Sequence, residues 1–511
     1  MSVLESTSGR SVLRGGLWHM ANLVVPQLYA LVTSVVAARF LGAEGMGRQS
    51  YIAFVALSVT MLLSSSMWVS LVRHIGEAMG RGDAGAVRGL LAWAWRIEGV
   101  TAVLGGAGVA AAALAGAEPE GAWLLAAAIT TASILHTVPS AILTGLQRFK
   151  QASLVGLTTG LAGTVATIVV LDAGGGIVGM FAVELAIGLV NLAWTGLLAR
   201  QVLVRVAPVP APTGPLRRQV TRYALGYSAG VVLELIVARR SELFFLERFS
   251  TDEQIAFYSI AFAMVTAASQ LPRALAAATT PAFATLFGAG ATERISAGFN
   301  RGLRLLLVAT LPLTAAGLAL APALARIVYG GEYRPVSAPL LILLAGYPLF
   351  GLVSIANALL TGLGKLRLAI GANAAAAAVD VALAVALAGA FGARGAALAN
   401  LSGQVVYAVV VLAYTLRLVG AQRLDAAVLR GAAASALAGA AAWATLSQLG
   451  DVAGLVAGGV VFAAAYLLLS PLLRVVPRQD AGWLLEVLGP KVPPWAGRFL
   501  LGCAGIRPSP R

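Results

Sequence analysis

The 511-residue chain is 59% hydrophobic and only 11% charged, whereas soluble domains carry about 25% charged residues. No soluble fold could hide that much apolar surface, so lipid is the solvent that suits it. The formal net charge of +15 does not make it a nucleic-acid binder, because most basic residues sit in short loops between apolar runs, which is a topology signal. A single cysteine, Cys503, excludes a disulfide and a multi-cysteine metal site within one chain. Only three Lys accompany 33 Arg, a genomic base bias before it is anything functional.

The apolar runs are long enough to cross a core of about 30 Å as helices and too long for alternating barrel strands. The first, 17–38, exceeds a signal-peptide core and has no small-residue cleavage site, so it reads as a retained helix. Six spans are predicted near 17–38, 51–72, 90–115, 122–145, 152–171 and 176–199. The segment Arg200–Arg222 holds Pro208, Pro210, Pro212 and Pro215 among basic residues and reads as a linker. Six more spans follow near 223–246, 256–286, 303–328, 337–361, 366–389 and 395–416, and a last pair near 428–448 and 452–473. The fold class is therefore all-α, polytopic, with about fourteen transmembrane helices. The predicted domains are an N-terminal six-helix lobe (1–200), a cytoplasmic linker (201–222) and a C-terminal six-helix lobe (223–420). Helices 13 and 14 (421–475) and a cytoplasmic tail (476–511) complete the chain.

With the N-terminus inside, 27 of the 36 basic residues fall in cytoplasmic segments and their flanks. Six lie outside, and Arg239, Arg240 and Arg273 lie within spans. The asymmetry predicts a multi-pass protein of the cytoplasmic membrane with both termini inside. External loops are short, while Arg73–Arg88 and Ala289–Arg301 read as longer amphipathic cytoplasmic stretches.

The two halves repeat each other. Leu143-Thr144-Gly145-Leu146 returns as Leu360-Thr361-Gly362-Leu363, an offset of 217, with Arg148 and Lys150 answered by Lys365 and Arg367. Gly176 and Gly179 match Gly392 and Gly395 at 216. Arg39-Phe40, Glu44 and Ser50 match Arg248-Phe249, Glu253 and Ser259 at 209. Six helices separate the copies, so both cross the membrane in the same sense, as in parallel repeats with a substrate path between two lobes.

These words also resemble a family. Ala37-Ala38-Arg39-Phe40-Leu41-Gly42 through Gly47 is similar to the first external loop of polysaccharide-biosynthesis (Wzx-type) flippases, and Leu143–Lys150 to their helix-four exit. Phe257–Ala261 and Tyr329–Tyr333 resemble later loop motifs, and Gly392–Ala397 the start of helix twelve. The resemblance covers most of 15–420. It implies the fold of the MOP (multidrug/oligosaccharidyl-lipid/polysaccharide) exporters, with two six-helix lobes around a cavity. It also implies export of a lipid-diphosphate-linked saccharide. Asp380 stands where the family often has Asn.

A diphosphate head group asks for cations, best Arg, whose planar fork matches phosphate oxygens. Ionisable residues within spans are functional candidates. On helix seven, Glu234, Arg239, Arg240 and Glu242 cluster; at about 100° per residue Arg239 and Glu242 lie roughly 60° apart and could pair, with Arg240 turned elsewhere. The pair serves equally as a structural lock or as part of a cargo site. Arg273, beside Pro272 in helix eight, has no acidic neighbour in its span, and burial there would demand a partner. Glu184 in helix six and Asp380 in helix eleven are coupling carboxylates if burial tunes them. His136, mid-span in helix four, is a packed polar residue or a proton relay. Arg96 and Glu98, near the start of helix three, are expected at the interface. No GxxxxGK[ST] element occurs, so ATP hydrolysis is unsupported and no cofactor is implied.

The expected function is a non-enzymatic flippase for a polyprenyl-diphosphate oligosaccharide, working by alternating access. Its partners would be the lipid-linked saccharide, membrane lipid and a coupling ion, H⁺ or Na⁺. The alternatives are a peptidoglycan-precursor (lipid II) flippase and a multidrug or cation antiporter of the same superfamily. From another class comes a membrane saccharide polymerase or ligase, against which the short external loops argue.

Overall fold

The computed structural model describes residues 9–206, 214–238, 240–420, 426–488 and 494–506, and among them there is no strand. Helix α1 (Gly9–Gly80) is broken at Gly42, whose φ of 69° divides it into two passes. Next come α2 (Ala84–Leu114), α3 (Glu120–Gly145), α4 (Phe149–Asp172) and α5 (Gly176–Val206). They are followed by α6 (Gly214–Ala238), α7 (Glu242–Phe249), α8 (Asp252–Gly288) and α9 (Thr292–Tyr329). A 3-10 turn (Gly331–Val336) leads into α10 (Ser337–Ala345) and α11 (Tyr347–Gly362). Helix α12 (Leu366–Val419) is broken at Gly392, and α13 (Ala426–Leu449), α14 (Asp451–Leu473), α15 (Arg478–Leu488) and α16 (Pro494–Cys503) end the order.

Among the described residues ten helical segments are long and apolar enough to cross a membrane. The breaks at Gly42 and Gly392 make two of these double passes, and α6–α7 and α8 complete about fourteen. The chain divides into two compact units, residues 1–259 and 260–511. In the first, α6 packs on α1. The helices run further than hydrophobicity alone predicts. Helix α5 continues to Val206 and α6 starts at Gly214, so much of the expected linker is helical; Pro208, Pro210 and Pro212 lie outside the described residues. Arg73–Arg88 and Ala289–Arg301 are likewise mostly extensions of the spanning helices, not separate surface helices.

Hydrocarbon offers no hydrogen bonds, so hydroxyls inside the spans turn back on their own helices. Ser58 donates to the Phe54 carbonyl at 2.7 Å, Thr130 to Ala126 at 2.9 Å and Thr310 to Leu306 at 2.8 Å.

The sequence repeat is a repeat of local structure. Helix α3 ends with Arg148 N–H donating to Leu143 O (2.7 Å) and Gln147 N–H to Thr144 O (3.0 Å), with Gln147 at φ 57°. Helix α11 ends with Lys365 N–H donating to Leu360 O (2.8 Å) and Gly364 N–H to Thr361 O (3.1 Å), with Gly364 at φ 69°. Both are the same left-handed helix stop, 217 residues apart. The glycine before each stop lies against the equivalent neighbour. A Cβ on Gly145 would fall 2.9 Å from Ile75 Cβ, and one on Gly362 would fall 2.8 Å from Phe283 Cβ and 3.0 Å from Thr280 O. Gly176 and Gly392 share a positive φ as well, 58° and 53°.

In the second unit α13 and α14 pack on α9, and the tail is tied to the same helix. Asp480 of α15 is fully buried and accepts from Arg301 Nε (3.1 Å), Arg304 Nε (2.8 Å) and Arg304 Nη2 (3.0 Å). Arg301 also lies over the Trp483 ring at 5.0 Å. Cys503 is buried with Ala434, Val475 and Ala481, and burial pushes its thiol up to about 11.

Two outcomes follow from this packing. Gly145→Val and Gly362→Val should each destabilise the purified protein by about 1–3 kcal/mol through overpacking. Gly371→Ala, where a Cβ meets nothing within 4 Å, should not; thermal unfolding followed by fluorescence compares the three. Asp480→Asn breaks a largely buried pair and should cost about 2–3 kcal/mol locally. Release of the tail should show as faster alkylation of Cys503, which in the native protein reacts slowly near neutral pH.

Candidate functional site

Helix seven is not one helix. Helix α6 stops at Ala238, and Arg240 takes φ 64°, a left-handed conformation that non-glycine residues rarely adopt. Ser241 Oγ donates back to Ile236 O at 2.8 Å, and Leu243 N–H to Arg240 O at 3.0 Å starts α7. The helix is interrupted between 238 and 242, and the expected pairing of Arg239 with Glu242 lies outside the described residues, as Arg239 itself does. Glu242 is fully buried as the first residue of α7, where free N–H groups favour a carboxylate. Arg240 and Glu234 are half-buried. Two residues on from Glu242, Phe244 packs edge-on against Phe54 at 5.0 Å and Tyr51 at 6.2 Å, anchoring α7 to the second half of α1.

Glu184 on α5 keeps some exposed surface while lying deep among the surrounding helices. A carboxylate facing hydrocarbon mid-helix is costly, so an accessible one belongs in a polar passage. His136 on α3 has Nε2 3.3 Å from Thr195 Oγ1 on α5. Thr195 in turn donates to Asn191 Oδ1 at 3.1 Å. Because that hydroxyl has one proton, His136 must be the donor at Nε2. The chain of bonds ties α3 to α5, which favours the packed reading of His136.

In the second unit Arg273 on α8 is exposed, where burial was expected. Its guanidinium carbon sits 6.0 Å from the Phe350 ring centroid on α11, at the outer reach of a cation–π contact. Phe350 also walls a narrow cleft with Thr266, Asn400 and Gln404, in which Gln404 Nε2 donates to Asn400 Oδ1 at 3.0 Å. Asp380 is buried where Gly403 leaves room, so that the two halves of α12 meet there; a Cβ on Gly403 would lie 3.0 Å from Asp380 Cβ.

The site residues thus fall into two sets. Glu184, Glu234, Arg240, Glu242 and His136 lie in the first unit, Arg273 and Asp380 in the second. One buried charge was missed. Glu98 was expected at the interface but is fully buried, close to the midpoint of the apolar stretch Gly85–Leu114. Asp83, whose Oδ1 accepts from Ala86 N–H at 3.1 Å, caps α2 several residues before the expected start of the span. That cap was the available signal. Arg96, two residues earlier than Glu98, is exposed as expected.

Residues 101–338 match the family described as "Polysaccharide biosynthesis protein". Among solved structures, the lipid II flippase MurJ in an inward closed conformation aligns with a TM-score of 0.67 at 15% identity, over 89% of this chain and 98% of that one. An inward-facing multidrug resistance MATE family transporter of the MOP superfamily aligns at 0.63 and 17% identity, over 77% and 94%. A MOP superfamily transporter from Pyrococcus furiosus, with a binding pocket of reverse polarity, aligns at 0.52 and 16%, over 80% and 95%. No curated protein sequence matches at a significant level. The chain has the MOP transporter fold, and the match to the polysaccharide family bears out the resemblance read from its sequence.

Proposed function

We propose that this membrane transporter is a flippase that moves a polyprenyl-diphosphate-linked saccharide across the cytoplasmic membrane by alternating access, with both termini inside. The observation that carries the reading is Arg273: an exposed guanidinium, 6.0 Å from the Phe350 ring centroid, in a long spanning helix. An ionisable group within a spanning helix is a functional candidate, and the planar fork of an arginine suits a phosphate. The family described as polysaccharide biosynthesis supplies the saccharide. Arg240, and Arg239 beside it, would serve as further cations. Glu184, Glu234, Glu242 and Asp380 are the carboxylates through which an H⁺ or Na⁺ gradient could act, with His136 as a polar contact between helices.

Peptidoglycan precursor is the second reading, because the fold matches a lipid II flippase over most of both chains. Both cargoes carry the same diphosphate, so Arg273 serves either. A cationic drug is disfavoured by the same arginine, and a polymerase or ligase lacks an external region large enough to hold an acceptor.

Lipid translocation into proteoliposomes tests the assignment. Arg273→Ala should lower the rate at least about 10-fold, the loss of one charge-assisted contact, and Arg273→Lys should recover only part of it. Unchanged transport by folded Arg273→Ala would remove the diphosphate role. Binding of purified lipid II against a polyprenyl-diphosphate oligosaccharide separates the two cargoes.

A further inference from the structure

Four carboxyl side chains among the described residues are buried almost completely: Glu98, Glu242, Asp380 and Asp480. Asp480 is held by two arginines, Glu242 begins a helix and Asp380 has contacts of its own. Glu98 is different. Its Oε1 has no hydrogen-bond partner among the described residues. Its Oε2 faces Thr101 Oγ1 at 3.5 Å, and that hydroxyl also lies 3.2 Å from the carbonyl oxygens of Ile97 and Glu98. One hydroxyl proton shared among three acceptors gives a carboxylate almost nothing.

Among the described residues the surroundings supply no counter-charge either. Helix α2 packs on α3, α1 and α6. Among the described side chains of those elements the titratable groups other than carboxylates and arginines are Tyr29, Tyr51, His74, His136, Tyr223 and Tyr227, and Tyr51 meets Trp123 and Phe244 edge-on. His136 is turned to Thr195 on α5, and His74 bonds Ser70 O at 2.7 Å and meets the Tyr223 ring edge-on at 5.8 Å. Tyr227 is 39% exposed. The charged groups of these helices lie toward ends or breaks: Arg39, Glu44 and Arg48 around Gly42, Arg73 and Glu77 late in α1, and Glu120 opening α3. Arg217, Arg218 and Arg222 occupy the first turns of α6 and Glu234 its last. On α2 itself Arg88 is in the second turn, and Arg96 lies about 160° round the helix from Glu98 and is exposed.

The repeat shows that the fold does not require a carboxyl at this position. Offsets between the copies run from 209 to 217, which places the counterpart of Glu98 within residues 307–315, Leu-Val-Ala-Thr-Leu-Pro-Leu-Thr-Ala. None of these ionises, and the two threonines are satisfied by their own helix. A residue costly to bury and absent from the sister copy is retained for something other than packing.

We infer that Glu98 is a site of reversible protonation in the first unit, the point at which a proton couples to its conformational change. With its proton on, the group is a neutral acid that tolerates the apolar packing of this structure. Releasing the proton leaves a carboxylate that needs donors, and so favours a different packing of α2 in which water reaches it. The inference rests on the transporter reading but on no particular cargo.

Infrared difference spectroscopy of the full-length protein in liposomes, from about pH 5 to about pH 9, reads the group directly. A carboxylic-acid C=O band is expected at neutral pH that fades on alkalinisation and is missing in Glu98→Gln. Identical spectra from wild type and folded Glu98→Gln would overturn the proposal. In proteoliposomes loaded with lipid-linked saccharide, stimulation by an imposed pH gradient should fall at least about 10-fold in Glu98→Gln while its melting temperature stays near wild type. A purely structural role would give the reverse, a stability loss with the pH response kept, and would also overturn it. Failure of all translocation in wild type as well would count against the cargo, and the infrared band would still decide Glu98.

Discussion

Hydrocarbon supplies no hydrogen bonds, and each pass of this chain is shaped by that constraint. Backbone groups close within helices, and hydroxyls bond one turn back, as Ser58, Thr130 and Thr310 do. Where a helix must stop, a left-handed residue folds its last N–H groups onto the preceding carbonyls, as at Gln147 and Gly364. Once the backbone is self-sufficient, helix contact depends on close approach more than on burial of apolar area. The glycines at 145 and 362 therefore sit where they do, with no space for a side chain.

That frame is duplicated, and the charges are not. Counting by the offsets of the repeat, Glu184 corresponds to Asn400 in the sister copy, Arg273 to Ser64, His136 to Val353 and Asp380 to Thr164. Asn400 is satisfied by Gln404, which is how a neutral residue occupies a place where its counterpart ionises. Each of these four ionisable groups therefore breaks the internal symmetry. A purely structural charge would be expected to recur wherever the same contact recurs. Charges that appear once belong to what the two copies do differently.

The passes, the glycine stops and the repeat were legible in the sequence because they depend on hydrophobic run length and on local backbone chemistry. The break in helix seven was not. Arg239-Arg240-Ser241 holds no glycine or proline to announce it, yet Arg240 is left-handed and the short helix after it packs Phe244 edge-on against Phe54. Angular arguments across that point had no way to foresee the reset. Glu98 was misplaced because apolarity, which sets a span's apparent start, begins later than the helix does; the Asp83 cap marks the true start. The anchoring of the tail was not legible for another reason. A lone Asp480 reads as solvated until Arg301 and Arg304, some 180 residues earlier, are seen to close over it.

The kinds of charge retained also divide the labour. Arginine does not lose its proton in proteins, so Arg240 and Arg273 are fixed cations, and a fixed cation can recognise an anion but cannot switch. Carboxyl groups can change charge, and the spans hold them in two settings. Glu184 keeps some exposed surface deep among the helices, whereas Glu98 is fully covered and on the proposed reading changes charge only if α2 repacks. A sealed group links its protonation to conformation by necessity, since the charged form and the closed packing exclude each other. An accessible group has no such link. On the proposed flippase reading, energetic coupling would therefore belong at the buried carboxyl and cargo recognition at the arginines.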